Sequence, residues 1–383
     1  MPLGLSKRKG LKPSATAAVT ALALDLQRQG QDVISMAAGE PDFATPAHIR
    51  EAAKRALDEG KTKYTPVAGI AELREAVAAK FNRENALQCD PGQVVVSSGA
   101  KQSLYNAFQA LLEPGDEVLL PAPYWVSYPA QIELSGGVPV EVPTSARDGF
   151  RLDPAEVRRR VTPRTKVLLV NSPNNPTGAA YPAGTIRELA GLALEHDFWI
   201  ISDEIYEHLS YGGEVALSPG TIAPEHTVTI NGASKAYAMT GWRLGYSMAP
   251  LELTRRMIAV QGQVSSNASS ISQWAAVAAL NGPQDFLPGF REAYRRRRDL
   301  ITDGLNRLGM ETPRPDGAFY VLADTTPIHA DEGEAARILL EKARVAAVPG
   351  TDFAAPGRTR FSYACADEQV ERVLERLAGL GRD

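Results

Sequence analysis

Between residues 94 and 250, short apolar runs rich in β-branched residues alternate with stretches whose apolar positions recur every third or fourth residue. The short runs predict strands, and the longer spacing predicts helices that bury one face. The strand candidates are residues 94–98, 117–120, 139–142, 166–170, 199–202, 227–230 and 245–248. Amphipathic stretches such as 102–112 and 185–195 lie between them. This alternation predicts an α/β fold, a mostly parallel seven-stranded sheet sandwiched by helices.

From residue 284 onward the pattern changes. A long helical stretch, 284–308, leads into strand-like segments at 318–322, 346–348 and 360–363, with helices at 332–342 and 367–380. These predict a smaller α+β domain made of residues 286–383 together with 1–44, whose helix at 17–29 packs near it. Residues 45–285 form the large domain. The basic run at 294–298 reads as a solvated, ion-paired helix face rather than a site for a polyanion.

The chain has 383 residues, 44% of them hydrophobic, which is enough to bury a sizeable core without staples. A net charge of −4 speaks against nucleic acid or an anionic membrane as partner, though a locally positive site can still take a small anion. Cys89 and Cys365 are far apart and fit no zinc or redox spacing, as expected in a reducing compartment. The histidines, at 48, 196, 208, 226 and 329, suggest no cluster, so no metal is expected. The basic N-terminus lacks the apolar segment of a signal peptide, and no run approaches membrane-spanning length. The expectation is a soluble cytoplasmic protein.

In open α/β sheets ligands bind beyond the carboxyl ends of the strands. The loop at 98–101 (SGAK) places Gly99 before a helix, where free amides favour phosphate, although turn geometry explains a glycine equally well. Residues 121–125 (PAPYW) offer Trp125 either as a rim aromatic or as a face for a planar ring. In 171–178 the two adjacent asparagines fit turn chemistry or donation to a ligand oxygen. In 202–206 (SDEIY) Asp203 follows an apolar strand, as a helix cap or as a buried carboxylate needing a cationic partner. The stretch 231–245 is more specific. Lys235 follows an apolar strand amid small residues, where desolvation makes a lysine nucleophilic. Ser234 and Arg243 would supply a hydroxyl and a guanidinium for a phosphate.

Residues 232–245 (GASKAYAMTGWRLG) match the pyridoxal-phosphate attachment signature of class I aminotransferases of fold type I. The resemblance covers essentially the whole chain, including 38–43 (AGEPDF), 63–65 (KYT), 172–178 (SPNNPTG) and 360–363 (RFSY). It is nearest to the bacterial subgroup I-beta aspartate aminotransferases, some of which also transaminate prephenate. The resemblance implies that Lys235 binds pyridoxal 5′-phosphate as a Schiff base and later moves the substrate proton. It implies that Asp203 pairs with the ring nitrogen, that Tyr206 and Asn175 hold the ring oxygen, and that Trp125 stacks on the ring. Ser234, Arg243, Gly99 and the amides of Ala100 and Lys101 would hold the phosphate, with Tyr64 reaching that of a neighbouring subunit in a homodimer.

For the substrate, the resemblance implies Arg360 on the α-carboxylate, assisted by Asn175 and Gly39. The stretch 261–270 carries no arginine for a distal carboxylate. Lys101, Thr16 and Lys12 are the replacements, Lys12 toward larger dicarboxylates. An aromatic- or alanine-type aminotransferase, or a C–S lyase on the same fold, is the alternative. A non-catalytic binding protein fits poorly, because every expected catalytic position is filled.

Overall fold

The computed structural model describes residues 13–212 and 216–380. In chain order its strands are β1 (Ile34–Ser35), β2 (Val94–Ser97), β3 (Glu117–Ala122), β4 (Val138–Pro143), β5 (Thr165–Asn171) and β6 (Trp199–Asp203), then β7 (Thr227–Gly232), β8 (Gly245–Met248), β9 (Tyr320–Asp324), β10 (Val345–Ala346), β11 (Val348–Pro349) and β12 (Arg358–Ser362). The helices are α1 (Ala15–Arg28), α2 (Ala47–Asp58), α3 (Ala71–Glu84), α4 (Ala100–Leu111), α5 (Ser127–Leu134) and α6 (Pro154–Arg158), followed by α7 (Ala183–His196), α8 (Leu251–Val264), α9 (Ser270–Asn281), α10 (Phe286–Arg307), α11 (Glu332–Glu341) and α12 (Asp367–Gly379).

All seven strands expected between 94 and 250 form one sheet in the order β2-β8-β7-β6-β5-β3-β4. Only β8 runs against its neighbours, so the carboxyl ends of the other six share one edge. The strands alternate sides as a pleated backbone requires. Val118, Leu120, Val167, Leu169 and Ile201 join the core beneath α4, α5 and α8. Their neighbours Leu119, Leu168, Val170 and Ile200 join the core beneath α7. Each such side chain contributes about 1.5–3 kcal/mol on burial, which fixes the register that brings the loops together.

Three details depart from the sequence reading. The segment read as one strand at 346–348 divides: β10 pairs in parallel with β1, and β11 pairs antiparallel with β12. A chain cannot serve two sheets in one register, so Ala347 becomes the joint. The strand expected from 318 starts at Tyr320, because Ala318 has a φ of 57°, outside the strand region. The basic run is ion-paired but not all solvated. Arg297 is buried between Asp42 and Asp367, while Tyr294 lies in the core.

Beneath the sheet edge is a buried polar cluster. Lys80 of α3, which is fully buried, donates to Asn85 Oδ1 at 2.7 Å and to Glu207. Asn231, at the end of β7, donates to the same carboxylate at 2.6 Å. His208 joins Glu84 and Glu207, a grouping the scattered histidine positions did not suggest, with the Lys80 ammonium as their cation. Removing one partner of such a pair strands a buried charge. Lys80→Met is therefore expected to lower unfolding stability by about 3–5 kcal/mol in urea titration. A loss below about 1 kcal/mol, the size of an exposed pair, would contradict this placement.

Candidate active site

The loops at the carboxyl edge, with α1 and the turn around Gly39, enclose a cleft of about 570 Å³. Lys235 is carried there by the turn after β7, which is held by Asn231 accepting from Gly232 N at 2.7 Å. Its amine donates to the Gly39 carbonyl. Burial, with the guanidinium of Arg360 behind it, brings the ammonium down to about 8. An amine so perturbed is the neutral nucleophile far more often than an exposed lysine at pH 7. Since the lowered value favours the neutral form as pH rises, covalent capture of pyridoxal phosphate by the apoprotein is expected to accelerate through pH 8 and level off above about 9. Stopped-flow absorbance checks this; a rate still climbing in proportion to hydroxide at pH 10 would point to an unperturbed lysine.

Asp203 ends β6, 3% exposed, where burial lifts its carboxyl to about 6. Its oxygens accept from Tyr128 Oη at 2.8 Å and from Ile205 N at 3.2 Å. Tyr206, in the segment after β6, shares a 2.9 Å hydrogen bond with the Tyr320 hydroxyl of β9. Burial pushes the Tyr206 phenol far above its ordinary range, so it remains a neutral donor.

The N-terminus of α4 forms a second corner. Gly99 precedes it at a φ of 87°, and a Cβ there would come within 2.7 Å of Arg243 Nη2. Gly245 opens β8 opposite Ser97 and Gly232, and a Cβ on it would overlap the Ala100 amide nitrogen. Two glycines thus let the Arg243 guanidinium and the free amides of α4 converge, with Ser234 on the same wall. Positive dipole end, guanidinium and hydroxyl suit a phosphate dianion.

Arg360, from β12, is 1% exposed. It donates to Asn175 Oδ1 at 3.0 Å and to the Ala37 carbonyl at 2.6 Å, and its guanidinium lies over Tyr320 at 4.5 Å. Its Nε is buried without a partner among the described residues. Lys101 is exposed along its side chain, with its ammonium 4.8 Å from the Trp125 ring centre, where partial desolvation and then Arg243 disfavour its charge. Thr16, in the first turn of α1, lines the same cleft with its hydroxyl buried and unpaired among the described residues.

The cleft therefore gathers most of the residues expected from sequence. Gly99 sits just behind it, against Arg243. Tyr64 is 92% exposed and does not line it. Lys12 lies outside the described residues. Tyr128 and Tyr320 were not anticipated. Tyr128 stands three residues beyond Trp125, in the first turn of α5, which is the only sequence signal for it.

A depressed lysine, a buried carboxylate and an anion cradle around one cleft at the edge of this sheet are the donor set of a pyridoxal-phosphate enzyme, and the residues fit that cofactor. The family described as aminotransferase class I and II matches residues 31–377, and the chain belongs to it: it is a pyridoxal-phosphate-dependent aminotransferase. Over 379 residues, 98% of each chain, it is 57% identical to the probable aspartate/prephenate aminotransferase of Thermus aquaticus. Identity to the aspartate/prephenate aminotransferase of Thermus thermophilus is also 57%, over 99% of each chain. The aspartate aminotransferase of Thermus thermophilus with maleate superposes with a TM-score of 0.97, covering 99% of this chain and 100% of that one.

Proposed function

We propose that this enzyme transfers the amino group of L-aspartate to 2-oxoglutarate, giving oxaloacetate and L-glutamate, and also aminates prephenate with glutamate as donor. The observation that carries this reading is a pair of cationic groups lining one cleft. One is Arg360, whose buried Nε has no partner among the described residues; the other is Lys101, which lines the cleft together with Thr16, whose hydroxyl is unpaired among the described residues. A dicarboxylate has a charge for each, and a buried carboxylate needs that compensation. The Thermus relatives are named for aspartate and prephenate, which supports those two substrates.

When bound, pyridoxal phosphate supplies the electron sink that stabilises negative charge at the substrate α-carbon. Arg360 and Asn175 orient the α-carboxylate, and Lys101 with Thr16 holds the distal one. The Lys235 amine would take the proton from the substrate α-carbon and deliver it to the cofactor carbon that keeps the amino group, the reverse transfer completing the second half-reaction. Asp203 keeps the ring nitrogen protonated, and Tyr206 donates to the ring oxygen. Closure of α1, with the smaller domain (1–44 and 286–383), over the body at 45–285 excludes water. Two half-reactions on one site imply ping-pong kinetics with parallel double-reciprocal lines. The exposed Tyr64 suits a residue that completes the phosphate site of a second copy, which makes the working unit a homodimer.

The test is a donor panel of aspartate, phenylalanine, alanine and cystathionine with 2-oxoglutarate, and separately glutamate with prephenate. Aspartate and glutamate should lead; a preference for phenylalanine or release of a thiol would replace this reading. In the same panel Lys101→Ala is expected to cost aspartate about 10- to 30-fold in kcat/KM, the low end for a charged hydrogen bond because solvent screens the site. Alanine should change less than about threefold, and equal losses would remove Lys101 from the distal-carboxylate role.

A further inference from the structure

The Asp203 carboxylate is held by a residue that the chemistry above does not use. Tyr128, on α5, is 1% exposed and donates to Asp203 Oδ2 at 2.8 Å, its ring edge-on to Trp125 at 5.3 Å. Asn171 fixes the backbone beneath by donating to the Asp203 carbonyl at 3.0 Å. The titratable groups facing Asp203 are Tyr128 from α5, Tyr206 from the segment after β6, and Lys235 from the turn after β7.

A buried carboxylate is ionised only if donors replace the water it has lost. An arginine or lysine would do so, but would also cancel the negative charge that a protonated ring nitrogen needs. A phenol donates one hydrogen bond and adds no charge. Burial and the Asp203 charge drive the Tyr128 phenol far above its ordinary range, so it stays a donor at every working pH.

We propose that Tyr128 is the positioning residue of the cofactor ring: its hydroxyl fixes the Asp203 carboxylate in place and in its ionised form while leaving the charge free for the ring nitrogen. This rests on Asp203 facing that nitrogen. With the phenol gone, burial is opposed by one fewer donor, so the carboxylate must take up its proton at higher pH. Ring binding is then lost from the acid side earlier than in the native protein.

The experiment uses the apoprotein and pyridoxine 5′-phosphate, which carries ring and phosphate but no aldehyde, so Lys235 forms no covalent bond with it. Equilibrium binding is followed from pH 5.5 to 8.5 for the native protein, Tyr128→Phe, Tyr246→Phe as a buried-tyrosine control away from Asp203, and Asp203→Asn. Phosphate titration is common to all and cancels in the ratios. For Tyr128→Phe the acid midpoint should rise by about one pH unit, so the Kd ratio to native is about five- to tenfold at pH 5.5 and under about twofold at pH 8.5. Tyr246→Phe should follow the native curve.

A ratio that stays constant across the pH range would mean that the phenol only packs, and would overturn the proposal. If Asp203→Asn alone alters binding and Tyr128→Phe does not, the Asp203 reading stands and the Tyr128 role falls. If Asp203→Asn leaves binding unchanged, the reading of Asp203 itself has failed. Should Tyr128→Phe not fold, 3-fluorotyrosine at position 128, a stronger donor of nearly the same shape, should move the midpoint down, and no movement or a rise would overturn the proposal.

Discussion

Alanine at position 235 lowers kcat for aspartate by at least about ten-thousandfold, the sum of a lost nucleophile and a lost proton carrier. The amine sits where only a lysine side chain reaches: on the turn after β7, against the Gly39 carbonyl, with burial bringing it to about 8. Lys235→Arg should lose as much. Its guanidinium retains the positive charge but does not deprotonate at working pH, so charge alone rescues nothing. Both variants should still bind pyridoxal phosphate reversibly, because Asp203, Arg243, Ser234 and the α4 amides remain. Borohydride reduction followed by peptide mapping gives the second readout. In the native protein the label falls on the peptide bearing Lys235, and in either variant it is absent. Activity above about one part in a hundred in the alanine variant, or a label elsewhere, would show that another group does the chemistry.

How much of this was legible in the sequence depended on distance along the chain. The sheet was legible because its signal is local: an apolar strand such as 166–170 announces itself within a few residues. The lysine loop was legible for the same reason, with Ser234, Lys235 and Arg243 inside one loop between β7 and β8. Tyr128 and Tyr320 were not. Their site contacts are to Asp203 and Tyr206, 75 and 114 residues away, and an aromatic in α5 or β9 reads as core until the fold closes. The small sheets were blurred because β1 and β10 are two residues each and obtain their partners only from tertiary packing. Arg297 shows the converse. In sequence it is one of four basic neighbours, and only packing against Asp42 and Asp367 separates it from the solvated face. That Thr16 Oγ1 and Arg360 Nε are unpaired among the described residues is likewise a property of surroundings, not of residue type.

The Arg360 guanidinium, whose Nε has no partner among the described residues, leads to the second large effect. Arg360→Ala should lower kcat/KM by about 10²–10⁴-fold, since truncating one side of a buried, hydrogen-bonded charge contact costs about 2–5 kcal/mol or more. The loss should be nearly the same for aspartate, phenylalanine and alanine, because every amino acid presents an α-carboxylate. In this it differs from Lys101→Ala, which sorts substrates by their distal group. Arg360→Lys should recover only a small part. The guanidinium is held flat by Asn175 Oδ1, the Ala37 carbonyl and the rings of Tyr320 and Phe353, at 4.5 and 5.0 Å. An ammonium has neither the fork nor the face for that setting. The loss should appear mainly in KM, where the carboxylate is gripped equally in ground and transition states. A variant in which only aspartate suffers would reverse the assignment of the two cations, placing the distal carboxylate at Arg360 and the common one at Lys101.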